Sequence, residues 1–243
     1  MNNITIASCS YNTPDVTITM LKSFFKYHDS TNVLVCENSI NNNTTKLLVE
    51  NDIPYIQNTG GLHAPSVDLL IENCKTDFML LVDTDIIFLK NHQDQFDIVQ
   101  QMDLTLLGEI CGDRGGKSLH NRVHPWHCFI NVKNIKDNNI KFYDYDRQVK
   151  RDGGKIYDVG ASFFEDIRNA KLKIGNVKLQ DTYYKHYEGM SWRVLKYGET
   201  EGNIDVDSNA THNNIELYKY GKLIERMYHF EIATHKNVKI NAK

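Results

Sequence analysis

Apolar positions along this chain alternate between two patterns. Short runs rich in apolar and β-branched residues occur at 4–9, 33–36, 53–56, 78–82 and 104–110, and they predict strands of a covered sheet. Between them the period changes to that of a helix. Val16, Met20, Leu21, Phe24 and Phe25 recur at helical spacing after Thr13-Pro14, with Pro at the first helical position and Thr13 as N-cap. Residues 44–50 predict a second helix. A third carries Val67, Leu70, Ile71 and Cys74 on one face and is opened by the tight turn Asn58-Thr59-Gly60-Gly61. Strands alternating with helices predict an α/β fold with a mostly parallel sheet. Right-handed crossovers then bring the loops at 8–14, 37–43, 58–63 and 83–85 to one edge, where they share one site.

The stretch 77–89 is central to this pattern. Its apolar run ends abruptly in Asp83-Thr84-Asp85 and then turns apolar again. Residues two apart on a strand point the same way, so Asp83 and Asp85 can converge at the strand's carboxyl end, where open α/β sheets bind ligands. Two convergent carboxylates suit a hard divalent cation. The competing reading makes Asp83 a turn cap and Asp85 a solvated side chain.

Beyond residue 111 the periodicity weakens. Residues 122–132 form an aromatic-rich strand candidate, with Pro125 making its first half an edge or a bend. Residues 158–162 open a helix carrying Phe163, Phe164 and Ile167, and residues 172–177 predict a short strand. Residues 183–192 are aromatic and polar, and residues 213–234 predict a closing helix interrupted at Gly221. With no internal repeat and no clean linker, two lobes within one domain are expected.

Composition narrows the function only by exclusion. Across 243 residues, 41% hydrophobic and 24% charged is ordinary for a globular chain. A net charge of −3 gives no global reason for nucleic-acid or anionic-membrane binding. No run is long and apolar enough to span a bilayer, and the first residues show no signal-peptide pattern. Cys9, Cys36, Cys74, Cys111 and Cys128 are scattered, odd in number and never spaced Cys-x-x-Cys, which fits reduced thiols and a cytoplasmic protein.

Taken in order, these motifs resemble the GT-A fold glycosyltransferases, especially those of family 2. The resemblance covers the first three quarters of the chain: a turn Ser8-Cys9-Ser10-Tyr11-Asn12 after strand one, Glu37-Asn38-Ser39 after strand two, Asn58-Thr59-Gly60-Gly61, and Asp83-Thr84-Asp85. It implies a nucleotide-sugar-binding half at 1–110 and an acceptor-side half with a C-terminal helix at 111–243. Ser8, Ser10, Tyr11, Asn12, Glu37, Asn58, Gly60, Gly61 and Asp83 would contact the donor. Asp83, Asp85 and a late histidine, His186, would hold Mn2+ or Mg2+. Asp158, at a helix N-terminus whose dipole favours the ionised carboxylate, stands where the family has its catalytic acidic pair, ahead of Glu165 and Asp166. That pair otherwise has a fairly fixed spacing to a later Gly, and here the motif departs from it.

The activity implied is inverting transfer of a sugar, from a UDP-sugar by preference, to an acceptor hydroxyl, with Asp158 as general base. The acceptor would be a glycan or another hydroxyl-bearing molecule, a modified nucleic-acid base included. Arg122, His124 and His127 would line the acceptor side. Trp126 and Trp192 could stack on a sugar, although each by itself reads more simply as a core or rim residue. A zinc site of His120, His124 and His127 is disfavoured by Pro125 and the absence of a fourth ligand. A sugar nucleotidyltransferase would carry a Gly-rich, basic loop after strand one, which this chain lacks. No G-x-G-x-x-G marks a dehydrogenase. The non-enzyme alternative is a binding scaffold of the same fold without turnover, which donor hydrolysis would expose.

Overall fold

A computed structural model describes residues 3–28, 32–40, 42–113, 118–149, 151, 152 and 154–187. Trp192 and the closing helix expected at 213–234 lie outside the described residues. The chain begins β1 (Ile4–Ser10), α1 (Pro14–Phe25), β2 (Asn32–Glu37), α2 (Asn43–Glu50), β3 (Tyr55–Gln57), α3 (His63–Asn73), β4 (Phe78–Asp83). It continues β5 (Ile86–Phe88), α4 (Gln93–Gln101), β6 (Leu106–Cys111), β7 (Arg122–Asn131), α5 (Val132–Asp137), α6 (Tyr145–Val149). It closes with β8 (Arg151–Asp152), β9 (Lys155–Ile156), α7 (Ala161–Asn169), β10 (Ile174–Asn176) and β11 (Tyr184–His186).

Seven strands form one mostly parallel sheet in the order β10-β6-β7-β4-β1-β2-β3. β7 alone runs antiparallel to its neighbours β4 and β6. Alternation along each strand sends side chains to two cores. Leu80 and Val82 pack with Leu21 and Phe24 of α1 and Phe96 of α4. Met79 and Leu81 pack with Val67, Leu70 and Ile71 of α3 and Phe163 and Ile167 of α7. Because β1 and β4 are covered on both faces, their carboxyl ends are the accessible edge.

Two local expectations acquire a physical explanation. Thr13 occupies the N-cap position of α1, but its side chain makes no capping hydrogen bond, and Pro14 supplies the start signal instead. Pro125 lies within a buried strand, yet it sits where the ladder is interrupted. Pairing to β4 stops at His127, and pairing to β6 jumps from Cys128 to Val123. A residue without an N–H costs nothing at such a bulge.

Candidate active site

β4 ends at Asp83, opposite Cys9 of β1, and the chain turns through Thr84 and Asp85 into β5. β11 pairs antiparallel with β5, placing His186 across from Ile86, and the Tyr187 N–H donates to the Asp85 carbonyl at 2.9 Å. This short ribbon closes a gap of 101 residues and sets His186 Nε2 at 3.1 Å from Asp85 Oδ1. Both side chains are 5% exposed. Asp83, Asp85 and His186 each offer one ligand atom, all within 4.8 Å of one another. Two carboxylates and an imidazole so close together fit a divalent cation, since the carboxylates otherwise repel. The Trp126 ring lies 5.1 Å from that of His186 and walls one side.

His63, the first residue of α3, reaches the same group. Its Nε2 is 3.4 Å from Asp83 Oδ1. Sequence reasoning placed the loop 58–63 at this edge without singling out His63, and no spacing or periodicity distinguishes it.

The strand that carries His186 rests on buried histidines. Tyr184 stacks on His127 with ring centroids 4.2 Å apart. Tyr183 donates to Asp94 and accepts from Gln95 Nε2 at 2.9 Å. His127 Nε2 is 3.1 Å from His92 Nε2, and His92 Nδ1 is 3.1 Å from the Lys90 carbonyl. The His92 backbone N–H donates to His28 Nε2 at 3.0 Å, and His28 Nδ1 meets the Phe24 carbonyl at 3.0 Å. Carbonyls only accept, so His28 and His92 carry their protons on Nδ1. His92 Nε2 must then accept from His127 Nε2–H. Burial keeps His92 and His127 neutral: it pushes His92 well below its ordinary value and His127 down to about 3.

The loops after β1, β2 and β3 are tied to one another rather than left open. The Glu37 carboxylate is fully buried and accepts the Ser39 N–H at 2.6 Å, and Ser39 Oγ accepts the Asn12 N–H at 2.7 Å. Burial raises the Glu37 pKa, while hydrogen bonds from Ser39, Ser10 and Thr44 oppose the rise. Asn58 Nδ2 and Ser66 Oγ both donate to Asn38 Oδ1, at 3.0 and 2.9 Å. A Cβ on Gly61 would fall 1.9 Å from Asn58 Nδ2, so only glycine fits there. Ser8 and Ser10 are buried, and Ser10 Oγ bonds to Thr17 Oγ1 at 2.9 Å. Tyr11, Asn58, Gly60, Gly61 and Asp83 keep exposed surface at the edge, and Asn12 is nearly buried.

On β7, Arg122, His124 and Trp126 follow one another at every second position, past the end of β4. Arg122 Nη1 is 2.9 Å from Asp158 Oδ2 and donates to the Val159 carbonyl at 3.1 Å. Asp158 Oδ1 accepts the Val159 N–H at 2.8 Å. Glu165 and Asp166 are engaged elsewhere, held by Arg147 at 3.1 and 2.6 Å. The three histidines weighed as a zinc site diverge. His120 stacks on Tyr157 and His127 on Tyr184, while His124 lies tilted against Trp126.

No protein-family model matches the sequence, and no curated protein matches it. Solved structures do. The mannosyltransferase PcManGT from Pyrobaculum calidifontis, in complex with GDP-Man and Mn2+, superposes with a TM-score of 0.55 at 9% identity over 80% of this chain and 60% of that one. The glycosyltransferase GlyE of Streptococcus pneumoniae gives 0.54 at 12% identity, over 98% of this chain and 65% of that one. S. aureus TarS 1–349 in complex with UDP-GlcNAc gives 0.53 at 12% identity, over 96% and 73%. The chain spans 60% of the mannosyltransferase and 44% of the longer TarS chain. These likenesses establish a GT-A glycosyltransferase fold. No helix among the described residues is long and apolar enough to cross a membrane.

Proposed function

We propose that this protein is a metal-dependent glycosyltransferase that moves a sugar from a nucleotide-sugar donor, a UDP-sugar by preference, to the hydroxyl of a glycan or other acceptor. The observation that carries this reading is the convergence of Asp83, Asp85 and His186 at the open edge of a GT-A sheet. Asp85 and His186 would be direct ligands of Mn2+ or Mg2+, and Asp83 would hold the ribose or a metal-bound water. The cation, when bound, neutralises the leaving diphosphate. Tyr11, Asn58, Gly60 and Gly61 would line the donor. Ser8, Ser10, Asn12 and Glu37 would act chiefly by fixing the loops that receive it, through the Glu37–Ser39–Asn12 chain.

Asp158 is the general base in this mechanism. The acceptor oxygen bonds to the anomeric carbon while the bond from that carbon to the diphosphate oxygen breaks. The acceptor's proton passes to Asp158, and the electron pair leaves with the nucleoside diphosphate. In-line attack of this kind inverts the anomeric centre. Trp126, beside His186 and at the root of the Arg122–His124–Trp126 row, would face the donor sugar from the acceptor side.

A thermal-shift screen of nucleotide sugars, run with and without Mn2+, tests the reading. It expects at least one donor to stabilise the protein only when Mn2+ is present, and that donor then to be hydrolysed slowly without acceptor. Stabilisation by no donor under any condition would refute the proposal, and binding without hydrolysis or transfer would reduce the protein to a scaffold.

A further inference from the structure

We infer that Arg122 is the positioning residue of the acceptor-side carboxylate, holding Asp158 in the one orientation from which it takes a proton. That role presupposes Asp158 as the general base. Asp158 sits on a turn between β9 and α7 with its side chain 42% exposed, where a carboxylate would ordinarily sample several rotamers. Here both oxygens are engaged, Oδ1 by the hydrogen bond from the Val159 N–H and Oδ2 by the ion pair with Arg122 Nη1. The same Nη1 grips the Val159 carbonyl, so one nitrogen fixes both the side chain and the backbone of the turn. The next residues repeat the contact: Gly160 has φ +84°, and a Cβ there would lie 3.0 Å from the Val123 carbonyl. Arg122 and Val123 therefore seat the turn on β7.

A merely structural role does not call for an arginine here. Its side chain is 7% exposed, and its Nε is buried without a hydrogen-bond partner. An unsatisfied buried donor is destabilising, and an ion pair with one half-exposed partner contributes little stability in return. What the arginine adds is direction, because its rigid, planar guanidinium sets a single Nη1 between the Asp158 carboxylate and the Val159 carbonyl, whereas a lysine's flexible ammonium does not hold one such geometry. Position matters at this site. Arg122 lies four positions before Trp126, roughly 13 Å along a strand, so the base is carried out from the cation group by the overhanging end of β7. A displacement of about 1 Å at such a site can cost a hundredfold in rate.

The test uses water as acceptor, reading nucleoside diphosphate release from the donor found in the Mn2+ screen. Arg122→Ala should lower this hydrolysis by roughly one to two orders of magnitude while the Mn2+-dependent donor shift persists. Millimolar guanidinium should restore a several-fold gain to Arg122→Ala, and equal concentrations of sodium chloride should not. Arg122→Lys should fall between wild type and Arg122→Ala, and it carries the comparison if the alanine variant does not fold. Combining Arg122→Ala with Asp158→Asn should cost no more than Asp158→Asn alone. Wild-type hydrolysis in both Arg122 variants, or loss without guanidinium rescue, would overturn the positioning role. Full activity of Asp158→Asn would instead overturn the general base itself, so the two failures are distinguishable.

Discussion

The buried histidines under β11 make stability fall steeply on mild acidification. In the unfolded chain His92 and His127 take up protons near pH 6.5. In the folded protein both have lowered pKa values, His127 down to about 3, so the unfolded state binds more protons below pH 6.5. The stability tied to their neutrality is therefore complete above pH 6.5 and is lost as the pH drops towards 3. His127 kept neutral costs about 1.4 kcal/mol per pH unit in that window, so it alone costs about 2 kcal/mol between pH 6.5 and 5, and His92, lowered in the same direction, adds to that loss. That is a large share of the roughly 5–15 kcal/mol that holds a domain folded. His127→Phe keeps the stack on Tyr184 but removes one titrating ring and the donor to His92. Urea unfolding followed by fluorescence at several pH values between 7.5 and 5 reads both effects. The variant should be weaker at neutral pH by about 1–3 kcal/mol, because His92 Nε2 loses its donor. Its stability should then decline less steeply, by about 1.4 kcal/mol per pH unit. An unchanged slope in His127→Phe would refute the assignment of a neutral, tautomer-locked pair.

Asp85→Ala should abolish the Mn2+-dependent stabilisation by a nucleoside diphosphate, which at a hundredfold excess over Kd amounts to about 2.7 kcal/mol; a shift equal to wild type would remove the metal role. Asp158→Asn should cut turnover by roughly two to four orders of magnitude with donor affinity within a few-fold, whereas Asp166→Asn, whose partner is Arg147, should keep most activity. Activity lost from Asp166→Asn but kept by Asp158→Asn would transfer the catalytic role. Gly61→Ala should displace Asn58, break its bond to Asn38 and lower both melting temperature and donor affinity; an unaffected variant would show that the turn repacks freely.

Local pattern sufficed for much of this protein. The alternation of apolar runs with helical periodicity determined the βαβ units, and a fixed crossover hand then determined that the loops after β1, β2, β3 and β4 meet at one edge. Asp83 and Asp85 were legible because charge at the end of an apolar strand is a local event. Tertiary structure decided what those residues do to one another. His186 was expected only through a family resemblance, and it reaches Asp85 because two three-residue strands pair across the chain. His63, the Arg122–Asp158 pair and the chain of His28, His92 and His127 join residues from separate elements, and no period along the sequence encodes such meetings. Glu37 shows the same limit in reverse. Its place after β2 marked it for the donor edge, but whether the carboxylate faces the ligand or the loop beneath it depends on Ser39 and Asn12 folding over it. Periodicity reports which face of an element is buried, whereas the partner found there depends on how the elements pack.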